Sequence, residues 1–283
     1  MYKNNILNTY DSRIKYYYVY KKLPTNLTNR SVLKLNIKKK NPEYADKFIV
    51  NGISFRLICN IVDSHIKYCE NQIISNIINK FNNNYVFKNM QMYLPGVNNI
   101  YKFYNIARYL SQNHKYCLKL DIQNAYYSVD FNILLYEILP KFNFNNFEIN
   151  RIKNFYFNIK NIINHEKLYL YYGLKLSNYL FTIYLYNSLN IYMNKYKYIN
   201  LVVYVDDIFI FSDNDRYLKN SISVLSNILA NDNLYINPNK TEFTNMQTQD
   251  LFILNKLISI NRNNIITNEL KNYVYSSKFI NYI

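Results

Sequence analysis

NLVVYVDDIFIFS, residues 200–212, is two apolar runs broken by one polar pair. Val202 and Val203 lead in, and Ile208, Phe209, Ile210 and Phe211 lead out. That pattern predicts a β-hairpin with Asp206-Asp207 at its turn. Two adjacent carboxylates between buried strands repel each other and lose solvation, a penalty that a divalent cation removes. Asp also favours ordinary turns, so the pair alone is equally well read as an acidic turn.

A second element changes the balance. Cys117-Leu118-Lys119-Leu120 reads as a strand closed by Asp121. A helix N-cap is the simple reading of that acid. Taken together, Asp121, Asp206 and Asp207 make a minimal two-metal set. Mg²⁺ suits such a set, because it takes a few carboxylates, some waters and substrate phosphates.

Around these elements, 61–80 and 216–230 repeat apolar residues at helical spacing. Residues 131–139 and 178–194 also read as helices, and 251–260 as a strand or hairpin. From 117 onward the order is strand, helix, long helix, hairpin, helix, strand. An antiparallel sheet with helices on one face fits that order. The fold class is therefore α+β.

Composition sets the outer bounds. The chain has 283 residues and is 49% hydrophobic and 18% aromatic, enough to bury a sizeable core. Its formal net charge of +16 suits a polyanion partner. The residues most abundant here (Lys, Asn, Ile, Tyr) have A/T-rich codons, so the charge permits nucleic-acid binding without proving it. Cys59, Cys69 and Cys117 form no paired motif, as expected in a reducing compartment. MYKNNILNTYDSR, residues 1–13, has no apolar run of a secretory signal, and no stretch reads as a membrane span. A cytoplasmic location without membrane attachment is the expectation.

Three segments carry a family resemblance. LKLDIQNAYYSVD (118–130) resembles motif A of reverse transcriptases, an Asp followed five positions later by an aromatic residue. YLYYGLKLSNYLFTIYL (169–185) resembles motif B, with Gly173 and Ser177 matching its G-x-x-x-S core. YVDD (204–207) resembles motif C. They occur in the family order, with 85 positions between Asp121 and Asp206. The resemblance is closest to small bacterial enzymes of the retron, abortive-infection and phage-defence type.

It implies a right-hand polymerase fold with a ferredoxin-like palm, mixed fingers, and a minimal or missing thumb. Fingers would fall in 1–110, the palm in 111–250, and a primer grip with a short tail in 251–283. Asp121, Asp206, Asp207 and the Ile122 carbonyl would hold Mg²⁺, or Mn²⁺. Tyr126 would be the steric gate that rejects a ribose 2′-hydroxyl, although a core aromatic is its bland reading. Gly173 and Ser177 would lie near the nucleotide; a positive-φ turn is the other reason for Gly173. Arg56, in GISFRLICNI (52–61), would grip the triphosphate, or else be a solvated Arg. Lys240, in LYINPNKTEF (234–243), would protonate the leaving pyrophosphate. Gly96 matches a fingers or template contact, and Gly52 a turn.

The implied activity is RNA-directed DNA synthesis from dNTPs, an RNA template and a DNA or RNA primer, with a non-coding RNA or protein as further partner. Two departures leave other readings open. Tyr171-Tyr172 replaces the family's Pro-Gln, and Asn178 replaces a Pro. Template-independent or protein-primed synthesis therefore stands beside templated synthesis, and so does a non-catalytic nucleic-acid scaffold.

Overall fold

The computed structural model describes residues 4–7, 14–20, 47–50, 53–84, 90–93, 97–163, 167–254 and 256–258. Gly52, Gly96 and the basic run Lys38-Lys39-Lys40 lie outside the described residues.

Two larger sheets and one two-stranded hairpin organise the described residues. The first has strands β1 (Asn4–Leu7), β2 (Ile14–Tyr20), β3 (Lys47–Val50) and β4 (Ile53–Ile61) in the order β1-β2-β4-β3, all antiparallel. Helix α1 (Ser64–Asn84) follows, started by Asp63, whose Oδ1 accepts from the Ile66 N–H at 2.8 Å.

The second sheet holds the acidic hairpin. Its strands are β5 (Met90–Tyr93), β6 (Tyr116–Asp121), β7 (Asn200–Tyr204), β8 (Asp207–Ser212) and β9 (Glu242–Asn245), in the order β5-β7-β8-β6-β9. It is antiparallel except for the β5–β7 pair.

Helices lie on both faces of this sheet, not on one. Strand alternation sends Leu118, Leu120, Val203, Ile208 and Ile210 to one side, where they join helices α4 (Lys175–Lys195) and α5 (Asp215–Asn231). Cys117, Val202, Phe209 and Phe211 go to the other side. There they meet Phe103, Tyr104 and Ala107 of helix α2 (Val97–Asn113), and the hairpin of β10 (Leu251–Ile253) and β11 (Lys256–Ile258). The physical reason is visible in IFIF: both faces of β8 are apolar, so both must be covered.

Helix α4 is buried on nearly every side, from Leu176 to Met193, which explains its lack of a polar face. Helix α3 (Asn146–Ile163) packs beside α1 and begins with a capping box. The Asn145 N–H donates to Glu148 Oε2 at 2.8 Å, and the Glu148 N–H donates to Asn145 Oδ1 at 3.0 Å. The segment expected as a helix over 131–139 is instead a π-helical turn, Ile133–Ile138, running into a 3₁₀ turn, Leu139–Phe142. Pro140 lacks an N–H and cannot continue an α-helical ladder. No helix among the described residues is long and apolar enough to cross a membrane.

Candidate active site

The β7–β8 hairpin turns through Val205 and Asp206, and Tyr204 faces Asp207 across it. Val205 takes φ 58°, a left-handed conformation that a β-branched residue avoids. A two-residue turn needs positive φ at its first position, where glycine is usual. The strain is of order 1–3 kcal/mol and is borne by strands buried on both faces.

Strand β6 delivers the third acid. Its terminal residue, Asp121, is the in-register partner of Asp207. The bridge between Ile122 and Ile236 is closed by the Gln123 N–H to the Tyr235 carbonyl and the Asn237 N–H to the Asp121 carbonyl. Neither bond uses the Ile122 carbonyl, which by alternation is directed to the β8 side of the strand.

The electrostatics follow from that crowding. Asp207 is pushed up to about 7, first by burial and then by the charges of Asp206 and Asp121; Lys119 and Lys240 oppose the rise. Both oxygens of Asp121 are engaged. Lys240 Nζ donates to Oδ1 at 2.6 Å, and Asn237 Nδ2 donates to Oδ2 at 3.2 Å. Asn237 also builds the turn that presents Lys240: its Oδ1 accepts from the Asn239 N–H, and its carbonyl accepts from Lys240 N–H and Thr241 Oγ1.

Carboxylates and backbone carbonyls are the oxygen donors that a hard divalent cation takes. Burial, and after it the charges of Asp206 and Asp121, disfavour ionised Asp207, a penalty that a cation would relieve. As the side chains stand, no three acidic, His or Cys groups among the described residues form a metal cage. Lys240 holds one of the Asp121 oxygens instead, so a cation here would compete with an ammonium group.

The remaining expected residues gather around the 171–178 turn. Gly173 has φ 95°, so the turn into α4 demands a glycine. Ser177 is fully buried; its Oγ donates to the Tyr171 carbonyl at 2.8 Å and lies 2.9 Å from the Tyr156 hydroxyl. Tyr126 is buried, stacks on Tyr172 with ring centroids 4.5 Å apart, and donates its hydroxyl to Asn178 Oδ1. Arg56 lies in β4, paired with Val19 on one side and Lys47 on the other. That strand also reaches the turn, because the Cys59 N–H donates to the Tyr172 carbonyl at 2.7 Å.

Two residues outside the expected set bear on the site. Asn237 orients Asp121 and Lys240, and the Asn-Pro step before Lys240 was its signal. Glu70 of α1 is buried, and its Oε1 accepts from the Leu176 N–H at 3.0 Å in the first turn of α4. No sequence pattern marks Glu70, since its partner is 106 positions away.

The sequence model described as reverse transcriptase (RNA-dependent DNA polymerase) matches residues 37–272. No curated protein matches in sequence. Among solved structures, apo telomerase from Candida tropicalis is similar with a TM-score of 0.56 at 12% identity, over 83% of this chain and 49% of that one. Telomerase from Candida albicans, in complex with a TWJ fragment of telomeric RNA, gives a TM-score of 0.52 at 13% identity, over 72% and 43%. This chain thus spans about half the length of the telomerases it resembles, and the likeness is one of fold. With that family model matching residues 37–272, most of its length, the chain belongs to the reverse transcriptase family.

Proposed function

We propose that the chain is an RNA-directed DNA polymerase that adds dNTPs to a primer 3′-hydroxyl. The observation that carries this is the register pair of Asp121 and Asp207 on adjoining strands, with Asp206 in the turn next to Asp207. A bound divalent cation, Mg²⁺ or Mn²⁺, would supply positive charge to the attacking and leaving oxygens. Asp121, Asp206, Asp207 and the Ile122 carbonyl are the groups that would hold it. Lys240 carries a proton that the departing pyrophosphate can take, and its 2.6 Å contact with Asp121 keeps it at the site. Tyr126 excludes a ribose 2′-hydroxyl by bulk, and Gly173, Ser177 and Arg56 complete the nucleotide side. Fingers in 1–110, palm in 111–250 and a primer grip within 251–283 complete the assignment. A place in antiviral defence would accord with the enzymes that the motifs resemble.

Template-independent synthesis is the second reading. It is favoured by Tyr172, whose ring packs on Tyr126 at the position where the family has a template-aligning Gln. Purified protein given dNTPs and Mg²⁺ or Mn²⁺, with a primed RNA or with no nucleic acid, separates the two. Incorporation that requires the RNA and disappears in Asp206→Ala and Asp207→Ala is the expected result. Incorporation without nucleic acid supports the second reading. Tight RNA binding with no synthesis removes both.

A further inference from the structure

We propose that Asn178 and Tyr172 are positioning residues that clamp Tyr126 and so set how strongly the site discriminates between dNTPs and rNTPs. The inference rests on the polymerase reading and on Tyr126 as the gate.

A gate rejects a 2′-hydroxyl only if its ring cannot move aside. Burial alone restrains Tyr126 incompletely, because an aromatic ring held by dispersion can slide. Three further contacts hold it. The Tyr172 ring lies nearly parallel to it, with 23° between the planes, and Phe181 lies 5.5 Å away at 49°. At the far end of the ring, the hydroxyl is tied to Asn178 Oδ1. Stack and hydrogen bond act on different atoms, so swinging the side chain out breaks both.

The clamp is itself anchored. Tyr172 is held through its carbonyl by the Cys59 N–H of β4, and Gly173 makes the turn that follows it. Its ring also meets Tyr127 edge-on at 5.1 Å. Asn178 sits in the first turns of α4, where its carbonyl accepts from Thr182 Oγ1 at 2.8 Å. Ser177, next to it, is locked to the Tyr171 carbonyl.

Tyr172 and Asn178 are also two of the positions where this chain departs from the motif it otherwise resembles. A Pro at 178 would have no side-chain acceptor for the phenol, and a Gln at 172 would have no ring to stack. The two departures share one neighbour, the Tyr126 ring. They explain why a tyrosine, with its hydroxyl, stands at 126.

The test compares kcat/KM for a dNTP with that for the matching rNTP in the full chain. Asn178→Ala and Tyr126→Phe each remove one end of the same hydrogen bond. Each is expected to lower discrimination by about tenfold, the worth of one net hydrogen bond. The double variant is expected to lower it no further, since the two share one interaction. Asn178→Asp, which keeps an acceptor, is expected to restore most of the ratio. A merely structural role would lower stability without moving that ratio. If Asn178→Ala does not fold, Tyr126→Phe deletes a single oxygen and carries the same test. If Tyr126→Ala admits rNTPs while Asn178→Ala and Tyr126→Phe leave the ratio unchanged, the clamp is overturned and the gate stands. If Tyr126→Ala also changes nothing, the gate falls and the clamp with it. Absence of any nucleotide incorporation by the wild type overturns the polymerase reading together with both.

Discussion

Lys240 Nζ lies 2.6 Å from Asp121 Oδ1, so the acid that closes β6 is held by a lysine from the turn before β9. The ammonium offsets part of the charge of three neighbouring carboxylates and occupies an oxygen that a cation would need. Lys240→Met should therefore tighten Mn²⁺ binding to the nucleotide-free protein, by roughly two- to fivefold. The gain is limited because the lysine is substantially exposed and its field is screened. Titration calorimetry on wild type and variant reads it directly. Weaker binding in the variant would mean that Lys240 orders Asp121 for the metal and does not compete with it.

Asp207 gives the metal-free protein a defined pH response. Its folded-state pKa, pushed up to about 7 by burial and by Asp206 and Asp121, lies above the unfolded value near 3.9. The folded state thus binds the proton more tightly, and this contribution to stability is full below about pH 4. It is lost as pH rises through about 7. Denaturant unfolding in chelator should show stability falling between those limits, and Asp207→Asn should flatten that fall. Saturating Mn²⁺ should flatten it in the wild type too. An equal slope in wild type and Asp207→Asn would remove Asp207 as its source.

How far the chain could be read without coordinates depends on the range of each interaction. The hairpin at 200–212, the strand ending at Asp121 and the helices at 64–84, 175–195 and 215–231 are local patterns, and the structure has them. Helix α2 is less legible, because residues 97–113 mix polar and apolar side chains, although Phe103, Tyr104 and Ala107 form an apolar stripe. The second covered face was legible in IFIF, which does not alternate polar with apolar as a half-exposed strand would. The π-turn at 133–138 has a helix's apolar spacing, so periodicity could not reveal it. At the site, local strand patterns put Asp121 at a strand end and Asp206-Asp207 at a hairpin turn, and the structure has both features, whereas Lys240 was singled out only through the resemblance of its segment to the family. The Asn178–Tyr126 bond and the Glu70 cap join residues 52 and 106 positions apart, and nothing local encodes them.

Glu70 should act as a cap supplied to α4 by another helix. Its carboxylate accepts the Leu176 N–H, and burial raises its pKa. Glu70→Ala should destabilise the protein by about 1–2 kcal/mol, the usual loss of a cap with a buried donor left unsatisfied. Glu70→Gln keeps an acceptor and removes a buried charge. Because the folded-state pKa is raised, the charged form weighs against folding as pH rises. The Gln variant should therefore compare best with wild type at alkaline pH. Chemical denaturation at pH 5 and pH 8 checks this; a Gln variant as unstable as the Ala variant at both would contradict capping.

Ser177 is the polar centre of the 171–178 turn. Its hydroxyl donates to the Tyr171 carbonyl and meets the Tyr156 hydroxyl, and both Ser177 and Tyr156 are fully buried. Ser177→Ala strands a buried phenol and leaves the Tyr171 carbonyl with the Leu174 N–H as donor, at a cost of about 1–3 kcal/mol for the weakened groups. Tyr156→Phe removes one of those groups. In the Ser177→Ala background, Tyr156→Phe should then be nearly neutral or stabilising, whereas alone it should destabilise. The coupling between the two, read from urea unfolding of the four proteins, should be about 1 kcal/mol or more. Additive losses would mean that the hydroxyls satisfy other partners, and the turn that carries Gly173 and Tyr172 would then owe its shape to other contacts, among them those of Cys59, Glu70 and the Leu174 N–H.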